Sequence, residues 1–214
     1  ADFRSCEVVV LQWLTNDLKL KEVLDSGEDL HSRIYEIVTG NKCDSDIKRK
    51  ISKKIFLPVV YGLGARGLAK NLSIPENVGL EIHNRIYSTF STSLDWIAQQ
   101  HEIAKHGIIK DYFGRPRKFI LEESFRSRNF VVQAVAATVC QEKLIELWKA
   151  LTQAKLAFSI HDGYGVICSV DTAKDTYEIM KKTLETESKL CPGLNMKVEI
   201  KFGIRLDDMK ILWK

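Results

Sequence analysis

The sequence predicts an α+β fold, in which helices fill the middle of the chain and antiparallel strands are concentrated near its end. Apolar residues recur at helical spacing through much of the first half. The segment "LAFSIHDGYGVICSV" has an Asp-Gly pair between two apolar runs, which is typical of a β-hairpin. The later segment "MKVEIKFGI" alternates apolar residues with mostly charged ones, as a half-buried strand does. The sequence contains no internal repeat, low-complexity tract or linker.

The first half of the chain is predicted to contain five helices. Residues 4–25 are expected to form the first, because acids and lysines separate apolar positions at helical spacing. A shorter helix is predicted over 29–39, and the glycine that follows it is a plausible C-cap. Residues 46–60 form the third predicted helix, which Pro58 is expected to bend. Residues 72–107 are expected to form two more helices.

The second half combines strands with two further helices. Residues 108–121 have a Gly-Arg-Pro turn between short β-prone segments, so they predict a hairpin. A long helix is predicted over 125–153 and an amphipathic helix near 171–189. The Asp-Gly hairpin lies between these two helices, and the alternating strand at 196–204 follows the second.

The composition indicates a soluble intracellular protein. With 214 residues, of which 45% are hydrophobic, the chain can bury a core of one large or two small domains. Its five cysteines are scattered without a CxxC pair, which favours reduced thiols and argues against zinc. No apolar run reaches membrane-spanning length and the first residues do not resemble a signal peptide, so no membrane partner is expected.

The distribution of charge points to a polyanionic partner. The net charge is only +4, but residues 42–70 carry eight Lys and Arg against two acidic residues. Residues 105–128 carry seven against three. Basic stretches of this kind are typical of nucleic-acid or phosphate binding, and solvated helix faces are the alternative interpretation.

Two aspartates are candidate metal ligands. Asp162 lies at the tip of the predicted Asp-Gly hairpin, where it would either hold a metal ion or simply form the turn. Asp2 is the candidate second carboxylate, with Glu7 at a fixed offset after it. Two aspartates that hold two Mg²⁺ ions about 3.5–4 Å apart would suit nucleotidyl transfer. Sequence spacing alone does not show that these carboxylates meet.

A stripe at four-residue spacing marks the third predicted helix. Arg49, Lys53, Leu57 and Tyr61 lie near one face, because each step advances only about 40° beyond a full turn. Arg49 and Lys53 would grip one triphosphate and are expected in solvent until it arrives. Leu57 and Tyr61 would then face the sugar and base. The alternative is a core stripe flanked by solvated lysines.

The opening residues resemble family A DNA polymerases, the bacterial DNA polymerase I type. The first catalytic motif of that family reads like Asp-Tyr-Ser-Gln-Ile-Glu-Leu-Arg, and "DFRSCEVV" matches it at Asp2, Phe3 and Glu7. The stretch "LTNDLKLKEVLDSGEDLH" is similar to a family segment that ends in Asp-Ile-His, which aligns Asp29 and His31.

Three further motifs extend the resemblance over nearly the whole chain. The pattern Arg-x₃-Lys-x₇-Tyr-Gly matches the stripe and ends at Gly62, and "GLAKNL" follows it as in the family. Asn129 and Gln133 fit an Asn-x₃-Gln motif, while His161 and Asp162 fit the His-Asp of the third catalytic motif. Five motifs in order at compatible spacing identify the chain as a member of the family.

The resemblance implies a right-hand polymerase with a palm, a small antiparallel sheet with helices, and helical fingers. It implies that Asp2, Asp162 and the backbone carbonyl of Phe3 bind two Mg²⁺ ions, and that Glu7 excludes a ribose 2′-hydroxyl. Residues expected to bind the deoxynucleoside triphosphate are Glu7, His31, Arg49, Lys53, Leu57 and Tyr61. Residues expected to contact primer-template DNA are Arg126, Arg128, Asn129, Gln133 and His161.

Three departures from the family leave alternatives open. Leu57 replaces an aromatic residue, Gly163 replaces a glutamate, and Phe125 stands where many members have Arg, with Arg126 and Arg128 as nearby substitutes. Single-subunit phage-type RNA polymerases resemble the chain at the first two positions but have Gly where it has Glu7, so DNA synthesis is preferred. A catalytically inactive nucleic-acid-binding relative is the other alternative.

The resemblance also implies a missing part. Family members carry a thumb before the first motif, whereas the candidate aspartate here is residue 2 and one preceding residue is not expected to supply a strand. The expectation is a fragment, a processed product or one half of a split polymerase, whose thumb is an N-terminal segment or a second polypeptide. The predicted domains are palm over 1–28, fingers over 29–105 and palm again over 106–214.

Overall fold

The computed structural model describes residues 1–211. Helices within this range are α1 (Cys6–Thr15), α2 (Leu18–Asp25), α3 (Leu30–Thr39), α4 (Asp46–Lys53), α5 (Phe56–Val60), α6 (Ala65–Leu72), α7 (Glu76–Thr89), α8 (Ser91–Lys105), α9 (Ser127–Ala150) and α10 (Ala173–Leu184). A 3-10 helix, Leu121–Arg126, precedes α9. Strands are β1 (Asp2–Phe3), β2 (Ile108–Lys110), β3 (Pro116–Lys118), β4 (Lys155–Ile160), β5 (Gly163–Ile167) and β6 (Val198–Glu199). The α+β class is confirmed.

The chain divides into two compact units, and the division falls within α1 and α9. Unit 1 contains Ala1–Val10 and the chain from Gln133 onward, and unit 2 contains Leu11–Val132. The predicted boundaries were after residues 28 and 105. They differ because Leu14 and Trp96 pack in unit 2 against a cluster that includes residues on both sides of 105, among them Ile109 and Phe119. The names palm and fingers stay predictions.

Unit 1 is built on a four-stranded antiparallel sheet in the order β4-β5-β1-β6. Asp2 pairs with Gly163 on one side and with Glu199 on the other. On the opposite face of the sheet, the ring of Phe3 packs edge-on against Tyr164, with 5.9 Å between ring centroids. β1 therefore lies inside the sheet although it has only two residues.

Backbone hydrogen bonds hold β1 at both ends. Tyr164 donates its N–H to the carbonyl of Ala1 at 2.8 Å, and Arg4 donates to the carbonyl of Lys197 at 2.8 Å. Asp2 thus lies in a strand that is paired on both sides. Hydrogen bonds to β5 on one side and β6 on the other keep this two-residue strand in place.

The first predicted helix is wrong as one element, because it breaks between α1 and α2. Asn16 adopts a left-handed φ of 52°, and Asp17 is the N-cap of α2. Asp17 is 2% exposed and accepts hydrogen bonds from Leu20 N at 3.0 Å and from Ser93 N and Oγ at 3.1 and 2.7 Å. A long-range contact to α8 thus fixes the break.

The third predicted helix also breaks, at Lys54 and Ile55 between α4 and α5. Pro58 lies in the first turn of α5, where a backbone N–H would have no intrahelical partner. In a continuous helix its ring would clash with the carbonyl of Lys54. The proline therefore ends α4 upstream rather than bending one helix. The predicted stripe is shared by two helices.

The other predicted elements differ mainly in length. α3, with Gly40 in the left-handed C-cap conformation, confirms the second predicted helix, and α7, α8, both hairpins, α9 and α10 are also present as predicted. α6 was not predicted as a helix. The strand predicted over 196–204 is limited to β6, because burial alternates only as far as Ile200 and Ile204 is 97% exposed.

Two further findings concern membrane-spanning segments and cysteines. Through residue 211, no helix is long and apolar enough to cross a membrane. The five cysteines, all of which lie within the described residues, are free thiols.

Candidate active site

Asp2 and Asp162 come together in unit 1, one on a strand and the other in the turn next to it. Asp2 lies in β1 beside Gly163, and Asp162 lies in the tight turn between β4 and β5, whose other residue, His161, has a φ of 53°. The N–H of Phe3 donates to the backbone carbonyl of Asp162 at 3.3 Å, which fixes the turn against β1. The structure thus answers the question that spacing left open.

Asp162 lies beside Asp2, because the residue that follows Asp162, Gly163, pairs with Asp2 across the sheet. Partial burial raises the pKa of Asp2, and the negative charge of Asp162 raises it further. Two carboxylates this close are unfavourable together unless a proton or a cation lies between them. Within residues 1–211, no group of three or more His, Cys, Asp or Glu side chains that could hold a metal ion occurs, either at this pair or away from it.

Gly163 leaves space beside this pair. A Cβ atom at position 163 would lie 3.3 Å from Oδ1 of Asp2 and 3.3 Å from the carbonyl of Ile160. Such contacts are tight enough that the carboxylate or the turn would have to move. The glycine that departs from the family pattern is therefore matched to the local packing around Asp2.

Glu7 and Gln133 form a contact that the sequence did not predict. Gln133 Nε2 donates to Glu7 Oε1 at 3.2 Å, which joins the first turn of α1 to α9 within unit 1. Glu7, which is expected to exclude a ribose 2′-hydroxyl, and Gln133, which is expected to contact the primer-template, are therefore direct neighbours.

In unit 2, Asp29 links α3 to α4. Its Oδ2 accepts from Ser32 N at 2.9 Å as the N-cap of α3, and its Oδ1 accepts from Arg49 Nη2 at 2.7 Å. Burial favours a higher pKa for Asp29, but the hydrogen bonds from Arg49 and Ser32 outweigh it and lower the pKa to about 2. Arg49 was expected in solvent until a triphosphate arrives; its side chain is 40% exposed, but it already forms an ion pair with Asp29.

His31 and Lys53 lie in the same region of unit 2. His31 is half-buried, and its Nδ1 has no hydrogen-bond partner among the described residues. Burial lowers the pKa of His31, and the positive charge of Lys53 lowers it further, while Asp29 opposes both. Lys53 is exposed, as expected. α3 and α4 thus present a neutral imidazole beside two cationic side chains.

Leu57 and Tyr61 are both half-buried, on α5 and at its C-cap. They belong to a different helix from Arg49 and Lys53, so helical geometry alone does not place the four side chains on one face. Tyr61 is followed by Gly62, whose φ is 99°.

The residues expected to contact primer-template differ in their surroundings. Asn129 is half-buried near the start of α9, and His161 is exposed at the turn after β4. Arg126 forms an ion pair with Glu123 at 3.1 Å. Arg128 donates to His101 Nδ1 at 3.2 Å and lies against the backbone of Gly62. Sequence reasoning missed His101, for which no local motif gives a signal.

The fold is that of a polymerase domain of known structure. The structure is similar to the POL domain of Pol1 from M. smegmatis, solved in complex with DNA primer-template and dNTP, with a TM-score of 0.79 and 21% identity. The match covers 92% of this chain and 37% of that chain.

The chain belongs to DNA polymerase family A, whose sequence pattern matches residues 1–208. It is 24% identical to DNA polymerase I of Aquifex aeolicus over 89% of this chain and 35% of the relative. It is 25% identical to the thermostable DNA polymerase I of Thermus aquaticus over 93% of this chain and 26% of the relative. The chain thus spans about a quarter to a third of these relatives, and the resemblance found from the motifs is confirmed.

Proposed function

We propose that this chain is the catalytic portion of a DNA-directed DNA polymerase, which adds deoxynucleotides to a primer under the direction of a template. The observation that carries the proposal is that Asp2 on β1 lies beside the turn that contains Asp162, in a chain of family A. The family match also favours DNA synthesis over the RNA polymerase alternative.

The paired carboxylates fit divalent cations. Their oxygens are hard acceptors, and the charge of Asp162 raises the cost of ionising Asp2, which a shared cation would lower. We infer that Asp2, Asp162 and the backbone carbonyl of Phe3 hold two Mg²⁺ ions. Such ions, when bound, activate the primer hydroxyl and neutralise charge on the phosphate undergoing transfer.

The triphosphate is assigned to two cationic side chains of α4 and to the imidazole of His31 on α3. Lys53 is exposed and free to meet a phosphate as a point charge. Arg49 would exchange Asp29 for a phosphate, because both present the paired oxygens that a guanidinium binds. His31, neutral at physiological pH, would donate or accept one hydrogen bond beside them.

The remaining candidates are assigned to the sugar, the base and the DNA. Tyr61 would close over the nascent pair with Leu57 beneath it, and Glu7 would lie beside the sugar. Primer-template contacts are assigned to Arg126, Arg128, Asn129, Gln133 and His161. Because the relatives are three to four times longer, we infer that a thumb segment or a second polypeptide supplies the rest of the grip on DNA.

Primer extension by Asp162→Asn tests the proposal and separates it from an inactive relative. The substitution keeps the size of the side chain but removes its charge, so extension should fall at least a hundredfold while the melting temperature changes little. Asp171→Asn, at an exposed aspartate of unit 1, is the matched control. Each variant is assayed alone and with the polypeptide that completes the polymerase. Extension by Asp162→Asn at the wild-type rate would show that the carboxylate assignment is wrong.

A further inference from the structure

Arg128 fills the space beside the Tyr61–Gly62 turn. Its guanidinium occupies the position that a Cβ atom at residue 62 would take, so only glycine allows this approach. Gly62 also has a φ of 99°, which an L side chain rarely adopts. The close approach of the guanidinium and the positive φ thus both favour glycine at position 62.

A directional chain of hydrogen bonds continues from Arg128. Its Nη2 donates to Nδ1 of His101 at 3.2 Å, so that nitrogen must be unprotonated. The other ring nitrogen, Nε2, lies 3.2 Å from Oγ of Ser124. Ser124 in turn donates its hydroxyl proton to the carbonyl of Leu121 at 2.8 Å, so it accepts from Nε2–H. The neutral imidazole with its proton on Nε2 satisfies every partner.

Two buried serines fix the end of this series of hydrogen bonds that lies farthest from Arg128. Ser124 is 4% exposed and Ser127 is 0% exposed, and Ser127 donates to the carbonyl of Ser124 at 2.6 Å. These bonds fix the 3-10 helix against the first turn of α9, from which Arg128 projects. The guanidinium is therefore fixed by its hydrogen bond to His101 while it contacts the Tyr61–Gly62 turn.

We propose that Arg128, fixed by His101 and Ser124, is a positioning residue that holds the Tyr61–Gly62 turn in the conformation that receives the nucleotide. This role rests on the proposed function, and no sequence motif assigns it. A phosphate contact by Arg128 would have to compete with its bond to His101. Besides the primer-template contact proposed above, Arg128 thus acts on the nucleotide through Tyr61.

Protonation of His101 would open this arrangement. A proton on Nδ1 removes the acceptor for Arg128 and places two positive charges together. Burial lowers the pKa of His101, and the charges of Arg128 on α9 and of Lys105 on α8 lower it further, opposed by Glu102. The imidazole is therefore neutral at physiological pH, and acid conditions disrupt the contact.

A titration by NMR tests the arrangement without any polymerase activity. The imidazole signal of His101, assigned with His101→Asn, is followed against pH in the wild-type chain and in Arg128→Ala. Removing the cation should raise the pKa of His101 and shift the ring resonances of Tyr61. Lys149→Ala, an exposed lysine on the same helix, should change neither. An unchanged His101 titration or unchanged Tyr61 resonances in Arg128→Ala would overturn the proposal, whatever the outcome of extension assays.

Steady-state extension tests the consequence for the nucleotide. Arg128→Ala should raise KM for deoxynucleotides by about tenfold and leave kcat within about twofold, as expected for a lost charge-assisted contact. His101→Asn keeps an acceptor at the position of Nδ1 but does not titrate. It should have the wild-type KM near neutral pH and lose the rise in KM that acid causes in the wild type. A fall in kcat at unchanged KM, or parallel pH profiles, would overturn the positioning role.

Discussion

At the scale of single residues, hydrogen bonds between pairs of side chains fix the candidate site residues in position. Gln133 reaches Glu7, Arg49 reaches Asp29, and Arg128 reaches His101. None of these pairs could be predicted from motif spacing, because each joins residues at least 20 positions apart. The motifs identify the residues, but contacts between elements decide which of them are exposed to a ligand.

Gly163→Ala should impair catalysis more than folding. The new Cβ would lie 3.3 Å from Asp2 Oδ1, so the carboxylate must shift by a few tenths of an ångström. A displacement of that size at reacting groups costs about threefold to tenfold in rate. Single-turnover extension measures the loss. Gly64→Ala is the control, because a Cβ there meets nothing within 4 Å. Equal rates for both variants would contradict the packing argument.

Asp29→Asn should destabilise the chain in a pH-dependent way. The pKa of Asp29 is lowered to about 2, against about 3.9 in an unfolded chain, so its stabilising effect is present above about pH 4. It is lost as the pH falls through about 2. Both partners are more than a third exposed, so solvent screening limits the difference near neutral pH to about 0.5–1 kcal/mol.

Urea denaturation of the wild type and Asp29→Asn at several pH values measures this effect. The two unfolding free energies should converge on acidification. A constant difference across the range would show that the ion pair with Arg49 does not contribute.

At the scale of elements, local turn chemistry was enough where one segment decides its own structure. The Asp-Gly hairpin and the helix that ends at Gly40 follow from residues within a few positions of one another. The breaks after α1 and α4 did not follow. The first depends on Ser93, 76 residues from Asp17, and the second on a steric effect that reaches four residues back from Pro58.

Asp17→Ala should be strongly destabilising. The substitution leaves the N–H groups of Leu20 and Ser93 and the hydroxyl of Ser93 without their buried acceptor. Losses of this kind cost about 2–4 kcal/mol in total. Chemical denaturation measures the change, and Asp25→Ala, at an exposed aspartate in the same helix, should cost less than about 1 kcal/mol. Similar losses for the two variants would contradict the role of Asp17 in separating α1 from α2.

At the scale of the whole molecule, the candidate residues are divided between the two units. Asp2, Asp162 and Glu7 belong to unit 1, whereas His31 and Lys53 belong to unit 2. The sequence also assigned these two groups of residues to different domains, palm and fingers, and those domain assignments stay predictions. Under the proposed function, residues of both units contribute to catalysis.

Glu7→Ala should relax the choice of sugar. If Glu7 lies beside the incoming sugar, a 2′-hydroxyl meets its side chain, and shortening that side chain should increase ribonucleotide incorporation by about tenfold or more. Deoxynucleotide incorporation should fall or hold. Glu7→Gln keeps the side-chain length and an oxygen that accepts from Gln133, so it should keep most of the discrimination.

Incorporation of matched ribo- and deoxynucleotides by the three proteins measures the effect, with Glu178→Ala as the exposed control in unit 1. Equal use of both sugars by the wild type, unchanged in Glu7→Ala, would exclude the gate and favour RNA synthesis.

The two-residue strand β1 has a consequence for the order of folding. Asp2 pairs with Gly163 of β5 and with Glu199 of β6. About 160 to 200 residues must therefore be synthesised, and the later strands must return to β1, before β1 can enter the sheet. Closing loops of that length carries an entropic cost that local helices do not share, and such long-range contacts are associated with slow folding. The helices of unit 2 have mostly local contacts and can form while Asp2 still lacks its neighbours. The carboxylate pair is therefore expected to be among the last features to assemble, which would keep a partly folded chain catalytically silent.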